Sequence, residues 1–286
     1  MRLRLPICAL AIGLAAGGAG CGGGYDPVSD DEVFGNRAGP KAERPTKQGL
    51  FDVGGHKLYM ECRGEGSPTV VYLHGSVRDR GGRRNAGDVP ALLDDRQQVC
   101  VYDRANVGRS QSVPGPLTGR DSAKDLHSLL AAAGMNGPYV LLGDSLGGAI
   151  SDIYAARYPD EVAGMVLLDS TLPAYLDMYK RLFRPGSGPQ PGEWRNEAEK
   201  LDRLATFRQA GEVQDHRPKI PVTYIATAGA FPPKILTAIR KAQRAFVDRF
   251  SPGRLIVLDV QHRMEPVIPE RIAREVRRVS KPPASG

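Results

Sequence analysis

From residue 50 onward, short apolar runs alternate with segments whose apolar residues fall on a helical period. Residues 50–53 and 57–62 flank Gly54-Gly55-His56 and predict a hairpin. Residues 69–73, 99–103, 140–142, 164–168, 222–226 and 255–260 are further strand candidates, short and apolar enough for burial in a sheet. Between them, residues 121–133 place Ala123, Leu126, Leu129 and Leu130 on one helical face, and residues 269–279 predict a closing helix with apolar Ile272 and Val276. A hairpin followed by repeated β–α units predicts an α/β fold: a mostly parallel eight-stranded sheet with helices on both faces. No internal repeat interrupts this order.

One junction in the pattern carries chemistry. Val140-Leu141-Leu142 runs straight into Gly143-Asp144-Ser145-Leu146-Gly147, and a helix-compatible stretch of small residues follows. Strand, sharp turn and helix around G-x-S-x-G is the context of a nucleophile elbow. The turn forces Ser145 into strained backbone angles, so its neighbours must be small, and Gly143 and Gly147 allow strand and helix to approach. The helix start then offers free N–H groups beside the hydroxyl. The bland alternative is a Gly-Ser turn closing an ordinary β–α unit. Residues 173–218 break the alternation and separate two strands by a long excursion. Tyr175, Tyr179, Leu182, Phe183, Trp194, Leu201 and Leu204 lie there among charges. An insertion of that length predicts a small lid or a substrate wall.

The first twenty residues stand outside this pattern. Arg2 and Arg4 precede an apolar stretch broken by Pro6 and too short to span a bilayer, which predicts a signal peptide over residues 1–20. Gly18-Ala19-Gly20-Cys21 resembles a bacterial lipobox, although Gly18 stands where Leu is usual. Cys21 is therefore expected as a lipid anchor on an exported, membrane-attached lipoprotein, with plain secretion as the alternative. Residues 21–48 are polar and rich in Gly and Pro, a flexible tether before a domain at 49–281. The formal charge of +7 falls to +5 without the signal peptide. No basic tract points to nucleic acid, so a soluble basic surface suffices. Cys62 and Cys100 remain as a pair in two strand-like runs. If those strands are neighbours, an oxidising compartment favours a disulfide; the alternative is two buried thiols.

Several segments in fixed order resemble the α/β-hydrolase family, and most of all its small secreted bacterial esterase-like members. They are residues 62–71, His74-Gly75, Tyr102-Asp103-Arg104-Ala105-Asn106-Val107-Gly108-Arg109-Ser110, residues 143–148, residues 154–160, and His262 with Met264 and Pro269. The likeness runs from about residue 48 to 280. It implies a serine hydrolase that cleaves carboxylic esters through an acyl-enzyme. A serine hydroxyl needs a base to take its proton, and imidazole titrates near the working pH. His56, His127 and His216 lie in a hairpin, a helix and a charged loop, and the family uses His74 structurally. Only His262 follows the last strand, where the fold returns a side chain to the elbow. The acid that orients it departs from the commonest pattern, since residues 226–231, after the penultimate strand, hold no carboxylate. Some members use the preceding strand end, which here carries Asp169. Asp259 is the alternative, within the last strand; Asp248 is too far downstream, in a helix-like run, and Asp144 leaves the elbow in another direction. Family members often carry His in place of Asp144, so Asp144 alters the local charge.

The resemblance further implies an oxyanion hole built from the backbone N–H groups of Leu146 and Ser76. Arg78, Arg80, Arg83 and Arg84 follow that loop, and Arg271, Arg274, Arg277 and Arg278 lie on the last helix; solvated surface, or for the latter group a helix-dipole partner or an anionic membrane, are their readings. No metal-ligand cluster and no cofactor are expected, and the enzyme is expected to act as a monomer on a small ester. Epoxide hydrolases and dehalogenases of this fold use an aspartate nucleophile, which Ser145 argues against. A peptidase, thioesterase or lyase variant, or a non-catalytic binding protein on the same scaffold, are the alternatives.

Overall fold

The computed structural model describes residues 45–76, 86–93, 95–176, 195–196, 198–229 and 233–281. The expected signal peptide, the lipid anchor Cys21 and nearly all of the tether lie outside these residues. So do Arg78, Arg80, Arg83, Arg84, and the middle of the insertion with Tyr179, Leu182, Phe183 and Trp194.

The predicted hairpin is present as β1 (Lys47–Asp52) and β2 (Lys57–Arg63), antiparallel, with β1 starting two residues before the expected domain boundary. The sheet continues with β3 (Thr69–Leu73), β4 (Val99–Tyr102), β5 (Tyr139–Asp144) and β6 (Val162–Leu168). A two-residue pair inside the insertion, β7 (Arg195–Asn196) and β8 (Leu201–Asp202), forms its own small ribbon. β9 (Val222–Thr227) and β10 (Gly253–Leu258) complete the main sheet. Its eight strands run in the order β1-β2-β4-β3-β5-β6-β9-β10. Within it the β1–β2 and β2–β4 pairings are antiparallel and all the others parallel, so the expected mostly parallel, eight-stranded α/β sheet is the architecture found.

Alternation along each strand divides the core. Val71 and Leu73 of β3 face a cluster with Leu126, Leu129, Ile150 and Ile153, whereas Val70 and Tyr72 face Ile272, Val276 and Val279. The first face is covered by α1 (Gly119–Ala132), α2 (Leu146–Arg157), α3 (Arg203–Glu212) and α4 (Pro233–Val247), the second by α5 (Pro269–Val279). All four predicted face residues of α1 are buried. The helix starts at a capping box in which Thr118 and Asp121 satisfy each other's backbone N–H. β2 and β4 are neighbours, Cys62 lies opposite Cys100, and the two form a disulfide. Neither remains a free thiol.

Each parallel strand ends at the same edge of the sheet. β3 leads to His74-Gly75, β4 to Asp103-Arg104, β5 to Ser145, β6 to Asp169 and β10 to the loop bearing His262. Ligands of open α/β sheets collect at that edge.

Candidate active site

Ser145 caps the N-terminus of α2 with φ 49° and ψ −110°, a left-handed strained conformation for a side-chain-bearing residue. The turn is tight because glycine surrounds it. A Cβ on Gly147 would lie 2.0 Å from the Leu73 carbonyl oxygen and 2.8 Å from that of His74. A Cβ on Gly143 would lie 2.7 Å from the Gly148 Cα. The Ser145 N–H donates to Leu168 O at 2.9 Å, tying the elbow to the end of the adjacent strand. Leu146 opens α2, where helix geometry leaves its N–H without an intrahelical acceptor. The His74-Gly75 loop crosses close by: a Cβ on Gly75 would stand 3.4 Å from the Ser145 Cβ.

One strand over, Asp169 follows β6 with φ 39°, again in the left-handed region. His262 Nδ1 meets Asp169 Oδ2 at 2.7 Å across 93 residues of chain. The Asp169 side chain is 8% exposed and that of His262 49%. The carboxylate is also held by Thr227, whose N–H donates to Oδ1 at 3.3 Å and whose hydroxyl donates to Oδ2 at 3.2 Å. Parallel pairing of Leu168 with Ile225 is what brings the ends of β6 and β9 together. The other carboxylates weighed for this role lie elsewhere. Asp259 falls just beyond β10 rather than within it and is exposed, and Asp248 is exposed past the end of α4.

The His262 imidazole is held above the usual histidine range. The hydrogen bond that Asp169 accepts is the largest cause; partial burial opposes it, and the negative charges of Asp144, Asp169 and Glu265 add to it. The remaining histidines are otherwise engaged. His56 pairs with Asp125 at 3.0 Å, His127 pairs with Glu161 and stacks on Tyr158, and His216 sits in a short 3₁₀ turn. His74 is buried, with Nδ1 2.7 Å from the Gly75 carbonyl oxygen.

Asp144 accepts from the Gly75 N–H at 3.1 Å, so the residue before Ser145 fixes the loop that carries Ser76. Three of the four arginines of α5 have partners within the chain: Arg271 and Arg278 converge on buried Glu275, and Arg277 donates to the Leu92 carbonyl, while Arg274 is exposed.

The sequence profile of the alpha/beta hydrolase fold matches residues 68–215, more than half of the chain. The chain belongs to the α/β-hydrolase family. Among curated relatives, the protein YqjL of Bacillus subtilis is 37% identical over 82 residues, which are 29% of this chain and 32% of that one. The first relatives found are thus spanned over no more than a third of their own length. Among solved structures, a thermophilic esterase from Thermogutta terrifontis superposes with a TM-score of 0.56 at 21% identity, over 82% of this chain and 100% of that one. The haloalkane dehalogenase DbeA from Bradyrhizobium elkani superposes with a TM-score of 0.58 at 16% identity, over 80% of this chain and 96% of that one. Two neighbours with different chemistry at such identity establish the α/β-hydrolase fold and leave the reaction to the site itself.

Two residues that the sequence reading passed over belong to this site of the α/β hydrolase. Thr227 is the last residue of β9, in the stretch 226–231 that holds no carboxylate, and it grips the Asp169 carboxylate that follows β6. Arg104, quoted only as part of a motif, is 3% exposed and donates to the carbonyl oxygens of His74 and Gly75 at 2.6 and 2.8 Å. Its position directly after an apolar strand was the available signal, since an arginine there must find acceptors.

Proposed function

We propose that the protein is a serine hydrolase that cleaves small carboxylic esters through an acyl-enzyme, with Ser145 as nucleophile, His262 as general base and acid, and Asp169 as the carboxylate that orients the imidazole. The observation that carries this reading is the 2.7 Å contact between His262 Nδ1 and Asp169 Oδ2, at the sheet edge where Ser145 occupies its strained turn. With Nδ1 engaged by the carboxylate, Nε2 is the ring nitrogen left to take the serine proton. Ser145 Oγ attacks the ester carbonyl as Nε2 accepts its proton. Charge develops on the carbonyl oxygen, and the N–H groups of Leu146 and Ser76 are its donors. The protonated imidazole, stabilised by Asp169, gives its proton to the departing alcohol. Water then repeats the attack on the acyl-enzyme and releases the acid.

The same reading places the enzyme outside the cytoplasm as a monomer, carried there by residues 1–20 and held at a membrane by a lipid on Cys21. The Cys62–Cys100 disulfide supports an oxidising compartment. Fluorophosphonate labelling read by intact mass tests the chemistry. Wild type takes one label, Ser145→Ala takes none, and His262→Ala and Asp169→Asn label at least a hundredfold more slowly. A folded wild type that takes no label overturns the serine-hydrolase reading. Labelling of Asp169→Asn at the full rate removes Asp169 from its role.

A further inference from the structure

Arg104 and Glu199 form a buried ion pair that joins the insertion to the loop opposite Ser145. Their side chains are 3% and 1% exposed. Arg104 Nε and Nη2 both reach Glu199 Oε2, at 3.0 and 2.8 Å. The same guanidinium donates through Nη1 to His74 O at 2.6 Å and through Nη2 to Gly75 O at 2.8 Å. Glu199 comes from the segment between β6 and β9, and its own backbone is fastened. Asn106 Nδ2 donates to Glu199 O at 3.0 Å, and the next residues pair with Leu117 through the Leu117 N–H to Lys200 O and the Asp202 N–H to Leu117 O, both at 2.7 Å.

The geometry of a trans peptide gives this contact a consequence. In such a unit the C=O and the following N–H point in opposite directions within one plane. Holding Gly75 O on Arg104 therefore aims the Ser76 N–H away from Arg104. The preceding peptide is gripped as well, with His74 O on Arg104 and the Gly75 N–H on Asp144. Both planes that set the Ser76 donor are thus fixed by charged groups, the buried Arg104 and the partly buried Asp144. A donor held in place before the reaction is what stabilises a developing oxyanion. A guanidinium buried without a carboxylate would carry an uncompensated charge, so Glu199 is what keeps Arg104 there.

We propose that Arg104 is a positioning residue of the oxyanion hole and that Glu199, delivered by the insertion, holds it in place, so that the insertion completes the catalytic site it borders. This rests on the serine-hydrolase reading above. The test compares wild type, Arg104→Lys and Glu199→Gln in turnover of p-nitrophenyl acetate, in inhibition by a trifluoromethyl ketone that adds to serine as an oxyanion, and in inhibition by the matching methyl carbinol, which cannot. Arg104→Lys keeps the charge but cannot span both carbonyls and the carboxylate. It lowers kcat about a hundredfold, as loss of one oxyanion donor does, with KM within about twofold. Glu199→Gln keeps its shape and lowers kcat about tenfold, an expectation on the scale of one weakened charge-assisted hydrogen bond. In each variant the trifluoromethyl ketone weakens by the same factor as kcat/KM while the carbinol binds unchanged. If Arg104→Lys does not fold, Glu199→Gln carries the test alone. A folded Glu199→Gln with wild-type kcat, or equal weakening of ketone and carbinol, overturns the positioning role and leaves the hydrolase standing. A wild type that neither turns over ester nor takes the fluorophosphonate label fails the earlier reading instead.

Discussion

At the scale of single residues, Asp144 is the departure that the site makes visible. Its carboxylate holds the Gly75 N–H, and its charge is one of the causes that raise the His262 pKa. The sign of the consequence follows from the role of the base. A general base works when neutral, so a raised imidazole pKa moves the acid limb of kcat/KM to higher pH. Asp144→Asn removes one raising charge and keeps an amide oxygen to accept from Gly75. The acid limb of the variant therefore shifts to lower pH than that of wild type, measured as the pH dependence of kcat/KM on one ester. An unchanged or upward-shifted limb contradicts the assignment. Asp169 was legible only through the family resemblance, in which some members carry the acid at that strand end, because Asp103 and Asp144 also stand at strand ends in this chain. Thr227 was not, because its part depends on β9 lying beside β6 in register, and a hydroxyl residue at the end of an apolar strand carries no mark of that neighbour.

At the scale of elements, the elbow is a backbone device more than a side-chain one. The Cβ that Gly147 lacks would meet the carbonyl oxygens of Leu73 and His74 at 2.0 and 2.8 Å, and both belong to backbone that cannot turn away. Gly147→Ala therefore forces α2 off the end of β3. It costs on the order of 3 kcal/mol, the upper part of the overpacking range, and activity falls with it because the His74-Gly75 loop moves. Gly229→Ala is the control. Nothing lies within 4 Å of its added Cβ, so its melting temperature stays at the wild-type value. Equal melting temperatures for the two variants contradict this account of the turn. The elbow could be read because strand, glycine and helix follow one another locally. α3 and α4 were harder. α4 carries Ile235, Ile239, Ala242 and Phe246 at helical spacing, yet the sequence reading saw only a helix-like run near Asp248. α3 lies inside the insertion, where Asp202 caps it by accepting from the Ala205 N–H at 2.9 Å. Its neighbour Glu199 is fixed by the loop at 104–118, so no period in the insertion itself announces it.

Across the whole molecule, the parallel sheet gathers at one edge residues that are far apart in the chain, and the hairpin at the opposite flank is what the disulfide secures. Cys62 and Cys100 are buried, and the bond joins β2, paired antiparallel to its neighbours, to β4, whose end carries Arg104. The alternation of apolar runs was enough to find both strands, but only the register shows that the two sulfurs face each other. Crosslinking residues 38 apart restricts the unfolded chain. The chain-entropy relation puts that at about 4 kcal/mol. For a domain of this size, each kcal/mol moves the midpoint by roughly 2–4 °C. Cys62→Ala/Cys100→Ala is thus expected to melt roughly 10 °C below wild type while keeping its kcat at low temperature, because the pair lies off the catalytic edge. Reductant alone acts slowly on the folded wild type, since both sulfurs are buried, and quickly once the protein is partly unfolded. A double variant that melts with wild type shows that the bond adds nothing to the fold.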